Sequence, residues 1–152
     1  MSLQVQPLTA DFLANAYRIH QQAQPRPWSL TTFEDCTTAP YAGLVATVDG
    51  QVVGYAVLLF VADEGTLMDI AVDNAFHRQG IANALMDSSI LMCEQKQMGS
   101  LWLEVRVNNP AAVSLYEKYQ FAHIETRKKY YDTPEGKVDA HIMMRNICPP
   151  SI

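Results

Sequence analysis

Two short stretches hold the residues whose types and spacing point to chemistry. The first reads Leu67-Met68-Asp69-Ile70-Ala71-Val72, turns through Asp73 to His77, and continues Arg78-Gln79-Gly80-Ile81-Ala82-Asn83-Ala84-Leu85. A strand ends, and a helix opens at Gly80. Such a junction leaves several backbone N–H groups without intrahelical partners, aimed at one spot where the helix dipole favours negative charge. It is an anion site. Gly80 and Ala82 are small enough to let a pyrophosphate approach the backbone, and Arg78 adds a mobile positive charge. The second stretch, Leu101-Trp102-Leu103-Glu104-Val105-Arg106-Val107, alternates cleanly. Four aliphatics take one face and Trp102, Glu104 and Arg106 the other, so the strand has one chemical face.

The anion site excludes two common nucleotide loops. A dinucleotide fingerprint needs G-x-G-x-x-G, and after Gly80 the chain offers Ala82 and then Leu85. A Walker loop needs Gly-Lys-Ser/Thr, a triplet the chain lacks. What remains is the shorter His77-Arg78-Gln79-Gly80-Ile81-Ala82.

Length and composition set the frame. The 152 residues, 49% hydrophobic and 18% charged, read as one soluble globular domain over residues 1–148 with a loose tail at 149–152. Neither a membrane-spanning run nor a signal pattern is visible, which leads us to expect a cytoplasmic protein. Cys36, Cys93 and Cys148 are odd in number and irregularly spaced, which argues against a disulfide framework or a zinc site and makes them packing residues. The net charge of -5 disfavours nucleic acid and attracts a cationic peptide or amine.

The elements that must position these residues follow in order. Leu3 to Gln6 reads as a first strand, closed by Pro7. Thr9 then caps a helix to Ala23 whose stripe includes Phe12, Leu13, Ala16, Tyr17, Ile19 and His20. Gln24 to Pro27 breaks the pattern. The two prolines around Arg26 and the following Trp28 make a stiff, aromatic-tipped loop before a short helix from Leu30 to Cys36, capped by Ser29. Leu44 to Val48 and Gln51 to Val61 form a hairpin about Asp49-Gly50. Thr66 to Val72 is the strand that delivers the chain to the anion loop. The helix after Gly80 runs to about Gln97 and is expected to bury Ile81, Ala84, Leu85, Ser88, Leu91 and Met92. Asn109-Pro110 starts a helix to about Tyr119. Phe121 to Tyr131 and Val138 to Asn146 close the chain as a strand pair. The expected architecture is an α/β fold, a mixed and mostly antiparallel sheet with helices on both faces. Ligands belong at the carboxyl ends of its parallel strands.

With its elements ordered, the chain resembles the GCN5-related N-acetyltransferases (GNAT), and within them the bacterial ribosomal-protein-alanine acetyltransferases. The motifs that carry the resemblance are Pro27-Trp28-Ser29, Asp63 to Leu67, Ile70-Ala71-Val72, Arg78-Gln79-Gly80, Trp102 to Arg106, Asn109, Leu115-Tyr116 and Tyr130-Tyr131. The resemblance implies that acetyl-CoA is the co-substrate. Ile70, Ala71 and Val72 would pair with its pantetheine arm as another strand would, Arg78, Gln79, Gly80, Ile81, Ala82 and Asn83 would hold its pyrophosphate, and Asn109 would contact it. Glu104 would be the general base on the substrate amine and Tyr116 the acid that protonates the departing thiolate. The implied partner is the N-terminus of a ribosomal protein, with no nucleic acid, membrane or metal, for a monomer or weak dimer.

Each role has a plainer alternative. Glu104 could pair with Arg106 on an exposed strand, Tyr116 could pack within the stripe of Ala112, Leu115 and Tyr119, and Asn109 could serve only as a helix cap. Asp69 either offers negative charge to a cationic peptide terminus or bonds within a bulged strand. Tyr130 and Tyr131 either line the peptide slot or fill a strand pair. An N-terminal amine with a pKa near 8 is roughly 10% neutral at pH 7, so a carboxylate suffices as its base. Three residues depart from the family pattern. His77 starts the loop signature in place of Arg or Gln, Asn83 replaces a basic residue, and Gln120 replaces a helix-ending glycine, where a side chain in a left-handed conformation costs about 1 kcal/mol.

Overall fold

The computed structural model describes residues 2–133 and 136–147, with the backbone alone at 129–133. In chain order the elements are β1 (Leu3–Pro7), α1 (Ala10–Ala23), α2 (Leu30–Asp35), β2 (Tyr41–Val48), β3 (Gln51–Val61), β4 (Glu64–Val72), α3 (Ile81–Gln95), β5 (Ser100–Arg106), α4 (Pro110–Lys118), β6 (Ala122–Thr133) and β7 (Gly136–Asn146). The strands form one seven-stranded sheet in the order β1-β2-β3-β4-β5-β7-β6. Among the described strands only β4 and β5 run parallel, and α3 makes the crossover between them; α1 and α2, by contrast, join the antiparallel neighbours β1 and β2.

Strands β2 and β3 are apolar on both faces because helices cover both. Val45, Tyr55 and Val57 pack under Ala16 and Ile19 of α1 and Phe33 of α2. Leu44, Ala56, Leu58 and Leu67 pack on the other side against Ile81, Leu85 and Met86 of α3. Asp49 and Gly50 have φ of 51° and 85°, the paired left-handed values of the expected tight turn. Asn109 caps α4 with its side chain, and Pro110 sits in the first turn. Gln120 keeps the left-handed conformation, φ 69°, of the glycine whose place it takes.

The structure also corrects several expectations. The buried stripe of α3 is Ile81, Leu85, Met86, Ser89, Ile90 and Cys93, while Leu91 is half exposed. Helix α3 lies flat between the sheet and solvent, so the sheet's position rather than periodicity alone picks the stripe. Strand β2 begins three residues before Leu44, at Tyr41. Val107 falls beyond the end of β5 and is exposed, leaving three aliphatics on that face. Thr9 stands at the N-cap of α1 without a side-chain capping bond. Cys36 and Cys93 are buried free thiols, as expected of packing residues, and Cys148 lies outside the described residues.

Candidate active site

The parallel pairing of β4 with β5 stops at Leu67 opposite Leu103. Beyond that point the strands separate, and a cleft of about 550 Å³ opens through the sheet. Its walls come from both sides. On the α1 and α2 side stand Glu104 and Arg106 of β5, Asp69 of β4, His20 and Gln24 of α1, and Arg26 and Trp28 of the following loop. On the α3 and α4 side stand Asn109, Ala112 and Tyr116. The alternation of β5 divides its residues this way, burying Leu101, Leu103 and Val105 against the helices and turning Glu104 to the other face.

Strand β4 presents backbone to the gap. Asp73 N–H donates to Val53 C=O on β3 at 2.8 Å, so the alternate residues Ile70 and Val72 point their N–H and C=O groups away from β3. An extended chain with amide groups fits beside them. His77 Nε2 donates to the Val72 carbonyl at 3.0 Å. Ala71 turns its side chain into the α1 core and its N–H and C=O toward β3 opposite Tyr55, so of the three residues expected to pair with the pantetheine arm it is the one turned away from the gap. Past a single 3-10 turn at Asn74–Phe76, Arg78 and Gly80 take left-handed φ of 65° and 78° and aim the start of α3 at the carboxyl end of β4. Gly80 is the N-cap and brings no side chain to it, leaving the N–H groups of Ile81, Ala82 and Asn83 without helical acceptors. Arg78 and Gln79 are exposed beside them. Ile81 itself is core. The Asn83 side chain accepts from Lys118 Nζ at 3.0 Å, and its carbonyl takes the Tyr119 hydroxyl at 3.0 Å, which locks α3 to α4.

Glu104 pairs with Arg127 Nη1 of β6 at 3.2 Å, with about a quarter of its side chain exposed to the cleft. Tyr116 is buried, its ring edge-on to Phe121 at 5.9 Å, and it also lines the cleft. Packing and cleft access therefore hold together. Asn109 likewise caps Ala112 N–H at 3.3 Å while facing the cleft. Asp69 sits where β4 bulges at Met68, and its carboxylate accepts from the Tyr55 hydroxyl, from His20 Nδ1 and from Gln24 Nε2. Burial, and then the Asp69 charge and its hydrogen bond, push the Tyr55 hydroxyl far above its ordinary value, so it remains a donor. The backbones of Tyr130 and Tyr131 run in β6, and their side chains lie outside the described residues.

Glu104, Asp69, Ile70, Asn109 and Tyr116 thus share one cleft, with residues 78–83 forming the separate turn at the end of β4. Sequence reasoning missed His20, Gln24 and Arg127 as members of the site. A histidine in the buried stripe of an amphipathic helix was the one local signal, since its partners Tyr55 and Asp69 lie 35 and 49 residues away.

The family model described as Acetyltransferase (GNAT) family matches residues 9–121. The chain belongs to that family. Its GNAT domain is 40% identical over 131 residues to the [ribosomal protein bS18]-alanine N-acetyltransferase of Escherichia coli K12, spanning 86% of this chain and 88% of that protein. The crystal structure of the E. coli ribosomal-protein-S18-alanine N-acetyltransferase superposes with a TM-score of 0.93 at 37% identity, covering 99% of this chain and 97% of that one. Ard1 from Thermoplasma volcanium superposes with a TM-score of 0.87 at 28% identity, covering 97% and 99%. As a GNAT acetyltransferase the chain takes acetyl-CoA as its acyl donor. The gap beside Ile70 and Val72 and the bare N-terminus of α3 suit the donor's amide-bearing arm and its pyrophosphate.

Proposed function

We propose that this protein acetylates the N-terminal alanine of a bS18-type small-subunit ribosomal protein. The donor enters from the α3 and α4 side, and the peptide enters from the side of α1, α2 and Glu104. Acetyl-CoA supplies an activated thioester carbonyl. Ile70 and Val72 hold its arm through backbone groups, Arg78 to Asn83 neutralise its pyrophosphate, and Asn109 contacts it. Glu104 accepts a proton from the attacking amine, directly or through one water, and Tyr116 returns a proton to the departing sulfur. The new bond is N–C, the broken one C–S, and the proton count closes. Asp69, Tyr130 and Tyr131 belong to the peptide side.

One observation supports this reading most. A carboxylate and a phenol line the same cleft from opposite sides, where the parallel strands part. The deciding test incubates the protein and acetyl-CoA with two peptides, one starting with free alanine and one N-terminally blocked but containing lysine, and reads intact mass. Acetylation of the free-alanine peptide alone is expected. Acetylation of neither peptide, or of the blocked one, overturns the assignment.

A further inference from the structure

The loop between α1 and α2 walls the cleft on the side of Glu104, and one of its residues is tied at both backbone groups to α1. Trp28 N–H donates to His20 Nε2 at 2.9 Å, and Trp28 C=O accepts from the Tyr17 hydroxyl at 2.8 Å. An N–H only donates, so Nε2 carries no proton and the neutral ring holds its proton on Nδ1. That nitrogen lies 2.8 Å from the Tyr55 hydroxyl oxygen and 2.9 Å from Asp69 Oδ2; the Tyr55 hydroxyl itself donates to Oδ2, so Nδ1–H has only acceptors before it, and Gln24 Nε2 donates to Oδ1 at 2.9 Å. His20 is 1% exposed, and its ring lies 5.0 Å from those of Trp28 and Phe33. A chain of contacts therefore runs from β4 to the loop. The Asp69 carboxylate selects the tautomer, the tautomer makes Nε2 an acceptor, and the acceptor fixes Trp28.

We infer that His20, oriented by Asp69, is a positioning residue that sets the acceptor wall of the cleft by holding Trp28. It controls binding of the peptide and leaves the acetyl-CoA side untouched. His20 is not a relay to Glu104, because both ring nitrogens are committed to protein partners. The inference rests on the proposed function only for the identity of the acceptor.

Two substitutions separate the role from simple packing. His20→Gln places a carbonyl near the position of Nε2 and keeps an acceptor for Trp28. His20→Asn reaches only the position of Nδ1, keeping a donor for Asp69 and abandoning Trp28. Both lose the ring. In steady-state kinetics His20→Asn is expected to raise the alanine-peptide KM about tenfold, with kcat and the acetyl-CoA KM within about twofold, whereas His20→Gln retains most of the wild-type value. Amide exchange at Trp28 accelerates in His20→Asn and stays slow in His20→Gln. Equal KM increases in both variants, an increase in neither, a parallel rise in acetyl-CoA KM, or unchanged Trp28 exchange in His20→Asn overturns the inference. Ring 15N shifts of the wild-type protein test it without any variant. They must report the Nδ1–H tautomer for His20, and the Nε2–H tautomer overturns it. A wild-type protein that leaves the peptide unacetylated overturns instead the reading on which the acceptor's identity rests, and the tautomer and exchange readouts still judge the latch.

Discussion

Glu104 and Arg127 meet at 3.2 Å on the wet side of the cleft, so the carboxylate is held in place while still open to an incoming amine. Glu104→Gln keeps the size and hydrogen bonding of that side chain and removes the proton acceptor. Its kcat is expected to fall about 100-fold with the melting temperature nearly unchanged. Tyr116→Phe keeps the edge-on contact with Phe121 and removes the proton donor, and about a tenfold fall in kcat is expected. Peptide kinetics beside a thermal melt check both, and unchanged turnover in the two variants would sink the acid–base assignment. The amine adds a pH signature of its own. Its neutral fraction rises tenfold per pH unit up to its pKa near 8, so wild-type kcat/KM for the peptide should climb to about pH 8 and then level.

At the scale of elements, β3, β4 and α3 meet at Gly54. A Cβ there would stand 2.9 Å from the Ala71 carbonyl and within 3.3 Å of Ile81 and Leu85. Gly54→Ala must push the strand or the helix away, and a denaturant titration should show a loss of about 1–3 kcal/mol. Helix α3 also carries Cys93, whose thiol is raised from 9.0 to about 11, first by burial and then by the neighbouring Glu94 charge. Below pH 9 both folded and unfolded chains keep this proton. Between pH 9 and about 11 only the unfolded chain releases it, so stability falls as pH rises through that window. Comparing Cys93→Ala with wild type isolates the effect, and the difference in stability between the two should vary with pH across that window and be constant below it.

For the whole molecule, the function depends on one interrupted pairing. Among the described strands five of the six contacts are antiparallel, and the one parallel contact ends after four residue pairs at Leu67 and Leu103, which turns a continuous sheet into a sheet with an opening. Both sides of that opening are chemically distinct because different helices cover the two faces. The chain as a whole carries a net charge of -5. A cationic alanine peptide should therefore show a kcat/KM that falls as salt rises from about 50 to 500 mM, whereas a neutral alanine peptide should show little change.

Local residue chemistry was sufficient for much of this. Asp49-Gly50, Asn109-Pro110 and the alternation of β5 each act through contacts within a few residues, so the hairpin, the cap of α4 and the exposed face of Glu104 were legible in the chain. The anion turn at Gly80 was legible for the same reason, since φ preferences and uncapped N–H groups are local properties. The partners of the polar residues were not. Glu104 meets Arg127 across the order β5-β7-β6, and Asp69 meets His20 and Tyr55 only because α1 packs over the face that Asp69 shares with Ala71. Which stripe of α3 is buried, and where two parallel strands part, likewise depends on how layers stack. Local sequence determined the elements and the chemical types they carry. Tertiary packing decided which of those groups meet, because hydrogen bonds and ion pairs between distant residues form only after apolar faces have been brought together.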